Sequence, residues 1–365
     1  MRILFYFPTN KSSVSLETLM IAFKEKGHQV YLMGWEKKGA IHENVEAHGV
    51  QTFTFNPTKR NAFTYYLNHF LHLTRFIKKE GIDLVYSHTQ PVNFVAAFVQ
   101  YFVKAKIILC RHHSNSMVIT QNRNGLLFDK VINCLGKYFI VPSIKVLEQM
   151  RDAEGVTKKE IRLIRYAYDF SKYADPNPEA VAEIRNVYSA ELLLVKVARF
   201  ISNKRHSILF EQLKLLAADG LDIKLLVLSE GPLENQLKQQ IEELGLESHV
   251  FFIGFTTKVI DYLAAADMVI HLSDSEASNS LIKEAGLQEK IVAVCQDVGD
   301  FDEYINHEVN GFKMPKDDPS KAVNDIIRKV YANKSQYAYL GKTLKQDVLT
   351  RFSVEHLIDQ YDEVK

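Results

Sequence analysis

Two carboxylates, Glu276 and Glu284, lie on either side of a point where a polar loop gives way to a helical pattern. Glu276 precedes the predicted helix and Glu284 lies more than a turn inside it, so both side chains could face one ligand from different depths. By spacing alone, the pattern favours a capping role for Glu276 and a solvated position for Glu284. The surrounding residues must therefore decide whether the pair has a chemical role.

The start of that helix is a candidate anion site. Ser278 or Asn279 is a natural N-cap, because both side chains accept hydrogen bonds from the first amides of a helix. The backbone N–H groups from about Ser280 to Ile282 would then point at a ligand together with the positive end of the helix dipole. A diphosphate is the kind of group that such a helix start binds.

Two further loops follow predicted strands. After the strand Leu192–Ala198 come Arg199 and Lys204, a forked and a compact cation that could meet phosphate oxygens. After the strand Lys224–Leu228, a Gly-Pro pair at Gly231 turns the chain into a helix. Taken alone, the two cations favour surface solvation, and the second loop indicates only a turn.

These loops need strands to position them, and the chain alternates between strand and helix patterns throughout. Such alternation predicts α/β domains with parallel sheets, whose ligands bind at the carboxyl ends of the strands. The polar stretch Arg165–Pro178 is the predicted linker between two domains. The strands predicted before it are Arg2–Phe7, Gln29–Met33, Gln51–Phe55, Leu84–Ser87, Ile107–Arg111 and Tyr138–Pro142. Those predicted after it are Leu192–Ala198, Lys224–Leu228, Val250–Ile253, Met268–Leu272 and Ile291–Val294.

Length and composition agree with two globular domains. The chain has 365 residues, 47% of them hydrophobic and 24% charged. Its longest apolar stretch, Phe94–Val103, is about half as long as a membrane-spanning helix. The first residues predict a buried strand rather than a signal peptide, so we expect a cytoplasmic protein. Cys110, Cys134 and Cys295 are far apart in apolar contexts, which favours burial over a disulfide or a zinc site.

Charge is divided unevenly along the chain. Residues 1–170 carry 23 Lys and Arg against 13 Asp and Glu, whereas the remainder carries 22 against 31. From Lys59 and Arg60 to Lys106, basic residues alternate with aromatic ones. This pattern suits an anionic membrane surface, such as the inner face of the cell membrane, or a phosphorylated acceptor. A solvated helix face explains it equally well, and the sequence leaves the two interpretations open.

Several segments of the second half form a longer pattern. They are Val197–Arg199 with Lys204, Leu228–Leu233, Phe252–Phe255, Ala266–Asp267, Glu276 through Ala285, Val298–Asp300 with Glu303, and Asn310–Phe312. Their order and spacing resemble glycosyltransferase family 4, and the two glutamates separated by seven residues are the most specific mark. The resemblance extends more loosely to Ile164–Tyr173 and Arg351–Ser353.

That resemblance implies an α/β fold of the GT-B type, with two Rossmann-like domains facing each other across a cleft and a C-terminal helix returning to the first. Residues 1–170, completed by the helix 350–365, would bind the acceptor, and residues 171–349 the nucleotide-sugar donor. It further implies a retaining, metal-independent transfer to a hydroxyl group of a surface glycan or a lipid-linked saccharide. A UDP-sugar is the expected donor and a GDP-sugar the alternative, with no other cofactor and no nucleic acid.

The resemblance also assigns residues to the donor site. Arg199 and Lys204 would neutralise the leaving diphosphate in place of magnesium. Glu276 would bind sugar hydroxyls beside the anomeric carbon, and Glu284 the ribose hydroxyls. The other expected donor contacts are Gly231, the phosphate-binding region of Ser278, Asn279, Ser280 and Leu281, and Gly254 and Phe255 beside the nucleobase.

The first domain matches the family less closely. Relatives place glycines in its first loop, whereas this chain has serines, of which Ser13 and Ser15 could offer amides or hydroxyls. After the fifth strand, relatives place a histidine that reaches the donor sugar or the reaction centre. We favour His113 for that position, with His112 as the alternative, and His88 is a further candidate in this group of loops.

Two other functions are compatible with the same architecture. A GT-B enzyme that epimerises a nucleotide sugar would share the nucleotide site but would need acid–base groups and no acceptor. A non-catalytic subunit that binds a nucleotide sugar would suit the missing glycines, since relatives often have glycine where Ala198, Ser229 and Ala277 stand. The joint presence of two cations and two carboxylates argues against that subunit, because buried charges are costly without a ligand.

Overall fold

The computed structural model describes residues 1–58, 61–113, 125–173 and 175–364, which form two compact units. The first unit comprises Met1–Ser171 and Phe352–Lys365, and the second Lys172–Arg351. The sequence placed these divisions one and two residues earlier, after residues 170 and 349. Each unit is built on its own parallel sheet.

The first unit contains a seven-stranded sheet in the order β3-β2-β1-β4-β5-β6-β7. The strands are β1 (Arg2–Tyr6), β2 (Gln29–Gly34), β3 (Gln51–Thr54), β4 (Leu84–His88), β5 (Lys106–Cys110), β6 (Tyr138–Val141) and β7 (Glu160–Leu163). Leu4 in β1 pairs with Tyr31 on one side and Val85 on the other. The central strands read as continuous apolar runs, because helices cover both faces of a parallel sheet.

Helices connect these strands. They are α1 (Val14–Glu25), α2 (Ala40–Glu46), α3 (Ala62–Glu80), α4 (Gln90–Val99), α5 (Gly125–Leu135) and α6 (Ile144–Glu148). Local chemistry sets the ends of α3: the Asn61 side chain accepts a hydrogen bond from the Thr64 amide, and Gly81 ends the helix at φ +62°. The sequence predicts α1 from Leu16 to Lys26; the helix begins two residues earlier and ends one residue earlier.

The second unit contains a six-stranded sheet in the order β10-β9-β8-β11-β12-β13. The strands are β8 (Leu192–Val197), β9 (Ile223–Leu228), β10 (Val250–Gly254), β11 (Met268–His271), β12 (Ile291–Cys295) and β13 (Phe312–Met314). The helices are α7 (Pro178–Val187), α8 (His206–Ala218), α9 (Glu234–Leu244), α10 (Val259–Ala265), α11 (Ser280–Leu287), α12 (Phe301–Tyr304), α13 (Ser320–Ala332) and α14 (Lys334–Phe352).

A last helix, α15 (Val354–Asp362), belongs to the first unit although it follows the second in sequence. Leu357, Ile358 and Tyr361 are buried in the core that also contains residues of β1, β4 and α1. The Tyr86 hydroxyl donates to the Tyr361 carbonyl at 2.6 Å. The first hydrophobic core is therefore built from both ends of the chain.

All eleven predicted strands are present, with ends shifted by at most one residue. The sequence did not predict β7 and β13, which are edge strands of four and three residues. The predicted burial of the cysteines is correct for Cys110 and Cys295 and wrong for Cys134, which is exposed. Cys134 lies near the end of α5 and lines a cavity with Glu154 and Lys159.

Candidate active site

In the second sheet, the strand order reverses between β8 and β11, and the loops that leave their carboxyl ends lie together. The loop after β8 contains Arg199 and the short 3₁₀ turn Ser202–Lys204. The loop after β11 leads to α11, and its Asp274 amide donates to the Asn203 carbonyl at 3.1 Å. Ligands bind at such a switch point in parallel sheets, so the structure brings two of the predicted donor loops together.

Glu276 forms the centre of a charged cluster in these loops. Its side chain is only 9% exposed, and its Oε1 accepts hydrogen bonds from His271 Nε2 at 2.7 Å and from the Lys204 ammonium. Lys204 also lies 3.4 Å from Ser273 Oγ. The Oε2 atom bonds to none of the residues that the structure describes, which leaves it available to a ligand.

The protonation state of Glu276 follows from these contacts. Burial alone would raise the pKa of this carboxyl, but the hydrogen bond from His271 and the charge of Lys204 lower it to about 2. The carboxylate is therefore ionised at neutral pH. An ionised carboxylate accepts hydrogen bonds only, which suits a ligand that presents hydroxyl groups.

Asn279 is the N-cap of α11. Its side chain accepts a hydrogen bond from the Ile282 amide at 3.1 Å, so that amide is occupied. The sequence predicted that amides from Ser280 to Ile282 would be available; the prediction is wrong for Ile282, because the cap uses it. The amides of Ser280 and Leu281 bond to no described residue and keep the expected orientation toward an anion.

A second buried ion pair holds the loop that precedes α11. Lys283 and Asp300 are almost fully buried, with their nitrogen and oxygen 2.7 Å apart. Asp300 also accepts hydrogen bonds from the Ser278 hydroxyl at 2.6 Å and from the Asn279 amide at 3.3 Å. Ser278 is thus engaged inside the protein, and its predicted contact with a donor stays a prediction.

The loops after β8 and β9 differ in what restrains them. The Arg199 side chain is exposed, and its guanidinium bonds to none of the described residues. A Cβ on Gly231 would lie 2.6 Å from the backbone oxygen of Phe200, so packing of the turn itself requires glycine there. Ser229 has φ +128°, a conformation that favours glycine, the residue that relatives often have at this position.

The other predicted donor residues lie around the same sheet edge. Glu284 is half-buried in α11, and burial raises its pKa, while a hydrogen bond from Ser280 acts in the opposite direction. Gly254 ends β10 at φ +82°, and Phe255 follows it with 73% of its surface exposed. An aromatic ring that is exposed beside a strand end is available to stack on a planar ligand.

In the first unit, His88 and His112 form a hydrogen-bonded chain. His88 Nδ1 lies 2.8 Å from His112 Nε2, and His112 Nδ1 contacts the Tyr166 hydroxyl. His88 is buried and stacks on Phe5, with ring centroids 5.7 Å apart. Burial lowers the pKa of both histidines, that of His112 to about 3, so both rings are neutral.

His113 belongs to a separate group. Its Nε2 lies 2.9 Å from Asp129 Oδ2, and Asp129 lies 3.5 Å from Arg111, which also forms a two-pronged pair with Glu154. A carboxylate on one ring nitrogen orients a histidine. The structure thus gives His113 and His112 different partners, and the role of either at a donor stays a prediction.

Of the two candidate serines in the first loop, Ser15 lies beside His88 and His112. Ser15 lines a cavity of about 20 Å³ with His88 and His112, room for roughly one water molecule. The Ser13 amide donates to Glu17 at 2.8 Å, which restrains the start of α1. The described residues do not include Ser114 and Asn115, which follow His113, or Lys59 and Arg60 of the basic region.

Two further residues near Glu276, His271 and Lys196, were not predicted from the sequence. His271 ends the apolar strand β11, and Lys196 lies inside the apolar strand β8 with no exposed surface. The Lys196 ammonium is 3.4 Å from the Leu272 carbonyl. Burial, and then the charge of Lys204, lowers the pKa of Lys196 to about 7. Each of these two residues is a polar residue within an apolar strand pattern, and that feature of the sequence could have identified them.

Replacing Lys196 by methionine should stabilise the protein. Because the pKa of Lys196 falls from its usual 10.5 to about 7 on folding, the unfolded chain binds more protons between these values. Stability of the wild type therefore rises with pH across that interval. Lys196→Met should raise the free energy of unfolding by about 1–4 kcal/mol at pH 7, and the gain should shrink toward pH 10.

Urea unfolding at pH 7 and pH 9.5 measures this difference, with the exposed Lys214→Met as the matched control that should change stability little. A Lys196→Met protein that is less stable at pH 7, or a gain that does not change with pH, would contradict the prediction.

Both units match family models of glycosyltransferases. A family model described as Glycosyltransferase Family 4 matches residues 12–172, and one described as Glycosyl transferases group 1 matches residues 179–347. The two matches lie one in each structural unit, apart from the boundary residue at 172. Together they leave only the termini and a short connecting stretch unmatched.

The related proteins have low sequence identity to this chain, but the matches cover most of its length. The chain is 18% identical over 353 residues to N-acetyl-alpha-D-glucosaminyl L-malate synthase of Bacillus anthracis, which covers 93% of this chain and 89% of that protein. It is 24% identical over 274 residues to N-acetylgalactosamine-N,N'-diacetylbacillosaminyl-diphospho-undecaprenol 4-alpha-N-acetylgalactosaminyltransferase of Campylobacter jejuni, covering 70% and 71%.

Solved structures share the fold. HepE of Anabaena in complex with UDP has a TM-score of 0.81 at 21% identity, covering 100% of this chain and 99% of that one. The complex of HepE with UDP-glucose gives the same TM-score at 20% identity. The predicted fold class, GT-B with two Rossmann-like domains, is confirmed.

Proposed function

We propose that this chain, which belongs to glycosyltransferase family 4, is a retaining enzyme that moves a sugar from a nucleotide-diphosphate sugar to a hydroxyl acceptor. The observation that carries the proposal is the cluster at the switch point of the second sheet. There the ionised Glu276 shares two adjoining loops with the cations Arg199 and Lys204 and with the unbonded amides that begin α11. These groups suit a ligand that joins a sugar to a diphosphate.

The diphosphate would lie between Arg199, Lys204 and the amides of Ser280 and Leu281. Two cations and a helix N-terminus offset its negative charge without a metal ion. We propose UDP as the nucleotide, because HepE, which shares the fold, was solved with UDP and with UDP-glucose. A GDP-sugar is the alternative donor.

The nucleoside would extend along the same sheet edge. Glu284, one helical turn beyond Ser280, would accept hydrogen bonds from the ribose hydroxyls. Phe255, exposed after Gly254, would lie against the base. This arrangement separates the roles of the two glutamates, with Glu276 at the sugar and Glu284 at the ribose.

In the transfer that we propose, the bond between the anomeric carbon and the diphosphate oxygen breaks, and its electrons leave with the diphosphate. Arg199 and Lys204 offset the charge that develops there. The acceptor oxygen attacks the same face of the sugar, and its proton passes to the leaving phosphate oxygen, so the configuration is retained. Glu276 accepts hydrogen bonds from the sugar through Oε2 and opposes the positive charge of the ring.

We propose that the first unit binds the acceptor, a glycan or a lipid-linked saccharide. The name of the Campylobacter relative includes a diphospho-undecaprenol, a lipid-linked acceptor of this kind. A feature of the first unit supports an acceptor at a membrane: its helices α3, α4 and α5 carry a groove of about 510 Å³ that is open to solvent.

The groove is lined by apolar side chains, with the Tyr66 hydroxyl as the exception. The lining residues are Ala62, Phe63, Tyr66, Leu67, Phe70, Phe94, Val95, Phe98, Phe102 and Phe128. Phe63 is 76% exposed and Phe102 57% exposed, and exposed apolar patches mark interaction sites. Arg75, Lys78 and Lys104 on the same helices and the following turn are also exposed.

Exposed aromatic rings, together with exposed cations elsewhere on the same helices, suit the acyl chains and headgroups of an anionic bilayer. We therefore propose that the protein works as a peripheral protein on the cytoplasmic face of the membrane. Among the described residues, none of the helices is both long and apolar enough to cross a bilayer.

Glu276→Gln should lower kcat by about 10²- to 10³-fold, because the amide keeps the size of the side chain but removes the charge that opposes the ring cation. Binding of UDP should change by less than about threefold. The assay measures sugar transfer from a panel of UDP- and GDP-sugars, whose binding is first ranked by thermal shift.

Asp274→Asn, in the same loop, is the matched control and should retain activity. Unchanged turnover in Glu276→Gln would remove this residue from the mechanism. An epimerised nucleotide sugar in the absence of acceptor would favour the epimerase alternative over transfer.

Arg199→Ala combined with Lys204→Ala should weaken binding of UDP much more than binding of uridine, because both cations are proposed to contact the diphosphate. We expect a loss of about 10- to 100-fold for UDP, measured by calorimetry, and a change within about twofold for uridine. Lys214→Ala, an exposed cation in α8, controls for net charge. Equal losses for UDP and uridine would contradict the phosphate contact.

Phe63→Ser combined with Phe102→Ser should weaken binding to vesicles that contain anionic phosphatidylglycerol, because both rings would enter the bilayer. Wild-type binding should also fall as salt is added, since the cations are screened. Flotation of the vesicles measures binding, and Leu215→Ser, which replaces an exposed leucine of the second unit, is the control. Wild-type binding that is absent, or insensitive to both changes, would argue against the membrane surface.

A further inference from the structure

His271 contacts Glu276 from beneath the loop that carries it. The histidine is the last residue of β11, is 1% exposed, and places Nε2 2.7 Å from Glu276 Oε1. The edge of its ring packs against Phe301, with ring centroids 5.8 Å apart. A strand end and an aromatic neighbour hold this imidazole in one place, whereas Lys204 reaches the same oxygen from a long flexible side chain.

The ring is a neutral donor. Burial lowers its pKa; the hydrogen bond and charge of Glu276 act against this, and the charges of Lys204 and Lys196 act with it. A carboxylate can only accept, so Nε2 carries the proton, and the Asn279 side-chain nitrogen, at the longer distance of 3.3 Å, does not donate to it. Nδ1 is buried without a partner among the described residues. The imidazole thus has a fixed tautomer without taking up a charge.

Lys204 and His271 both donate a hydrogen bond to Oε1, but they differ in how far each can move when the nucleotide sugar binds. Lys204 faces two anions, the Glu276 carboxylate and the incoming diphosphate, and its side chain can rotate toward the second. His271 cannot leave its strand end. Without His271, a Lys204 that turned to the phosphate would leave the carboxylate with no hydrogen bond from any residue that the structure describes.

We propose that His271 is a positioning residue, which holds the Glu276 carboxylate through Nε2–H while Lys204 moves onto the donor diphosphate. This inference rests on the proposed function of the Glu276 site. It assigns His271 no contact with the substrate: its effect reaches the reaction only through the orientation of Glu276 Oε2 toward the sugar.

Kinetics of His271→Leu and His271→Gln test the proposal. Leucine fills the space but donates nothing, whereas glutamine presents an N–H near the position of Nε2. We expect kcat of His271→Leu to fall by about 10- to 100-fold, with the Kd for UDP within about threefold of wild type, and His271→Gln to recover most of kcat. His249→Leu, a half-buried histidine elsewhere in the second unit, should keep kcat.

Some kinetic outcomes would overturn the inference. A kcat of His271→Leu within twofold of wild type would show that Glu276 needs no such support. Equal losses of kcat and UDP binding in His271→Leu and His271→Gln, with lowered melting temperatures, would show a merely structural role.

A second measurement does not depend on activity. In wild type, the ¹³C NMR signal of the Glu276 carboxyl should titrate far below pH 4, and in His271→Leu its midpoint should move up, because one hydrogen bond to the charged form is gone. The groups that also face this pair, Lys196, Lys204 and His206, are unchanged in the variant. An unmoved midpoint would overturn the proposal, even if no sugar transfer is found and the proposed function fails.

Discussion

One oxygen atom, Oε1 of Glu276, accepts hydrogen bonds from both Lys204 and His271, and this contact keeps a buried carboxylate charged. Without those donors, a group with so little contact with water would take up a proton. The two donors come from the loop after β8 and from the end of β11, which are neighbours only because the strand order reverses between them. The register of these two strands is thus a condition for the charge state of the site.

Buried contacts also restrain the loops around Glu276. Lys283 and Asp300 form a second buried pair of opposite charges. Asp300 also accepts hydrogen bonds from the Ser278 hydroxyl and the Asn279 amide, just before α11. A Cβ on Gly299 would lie 2.7 Å from the Cβ of Glu276, so the Glu276 loop leaves no room for a side chain there. A site held on this many sides needs little rearrangement to bind a ligand, which lowers the entropy that binding costs.

Sequence patterns predicted the parts of this architecture that have a local cause. Apolar runs marked the strands, and the serine and asparagine before α11 marked its cap, because both signals depend on residues a few positions apart. The edge strand β7 escaped prediction because Glu160 and Arg162 interrupt its apolar residues, and β13 has only three residues. The partners of Glu276 escaped prediction because His271 lies inside a strand pattern and Lys204 lies 72 residues away in sequence. The occupied amide of Ile282 likewise appeared only once the cap geometry was known.

The position of α15 after the second unit in sequence affects the order in which the two units fold during synthesis. Its buried residues, with Val364, complete a core whose other members precede the whole second unit in sequence, so these contacts have very high sequence separation. On the ribosome, the second unit has all its strands before the first can close its core. We therefore expect the second unit to reach its native state first during synthesis, and the first unit to remain open to chaperones and proteases until the last turns of helix have emerged.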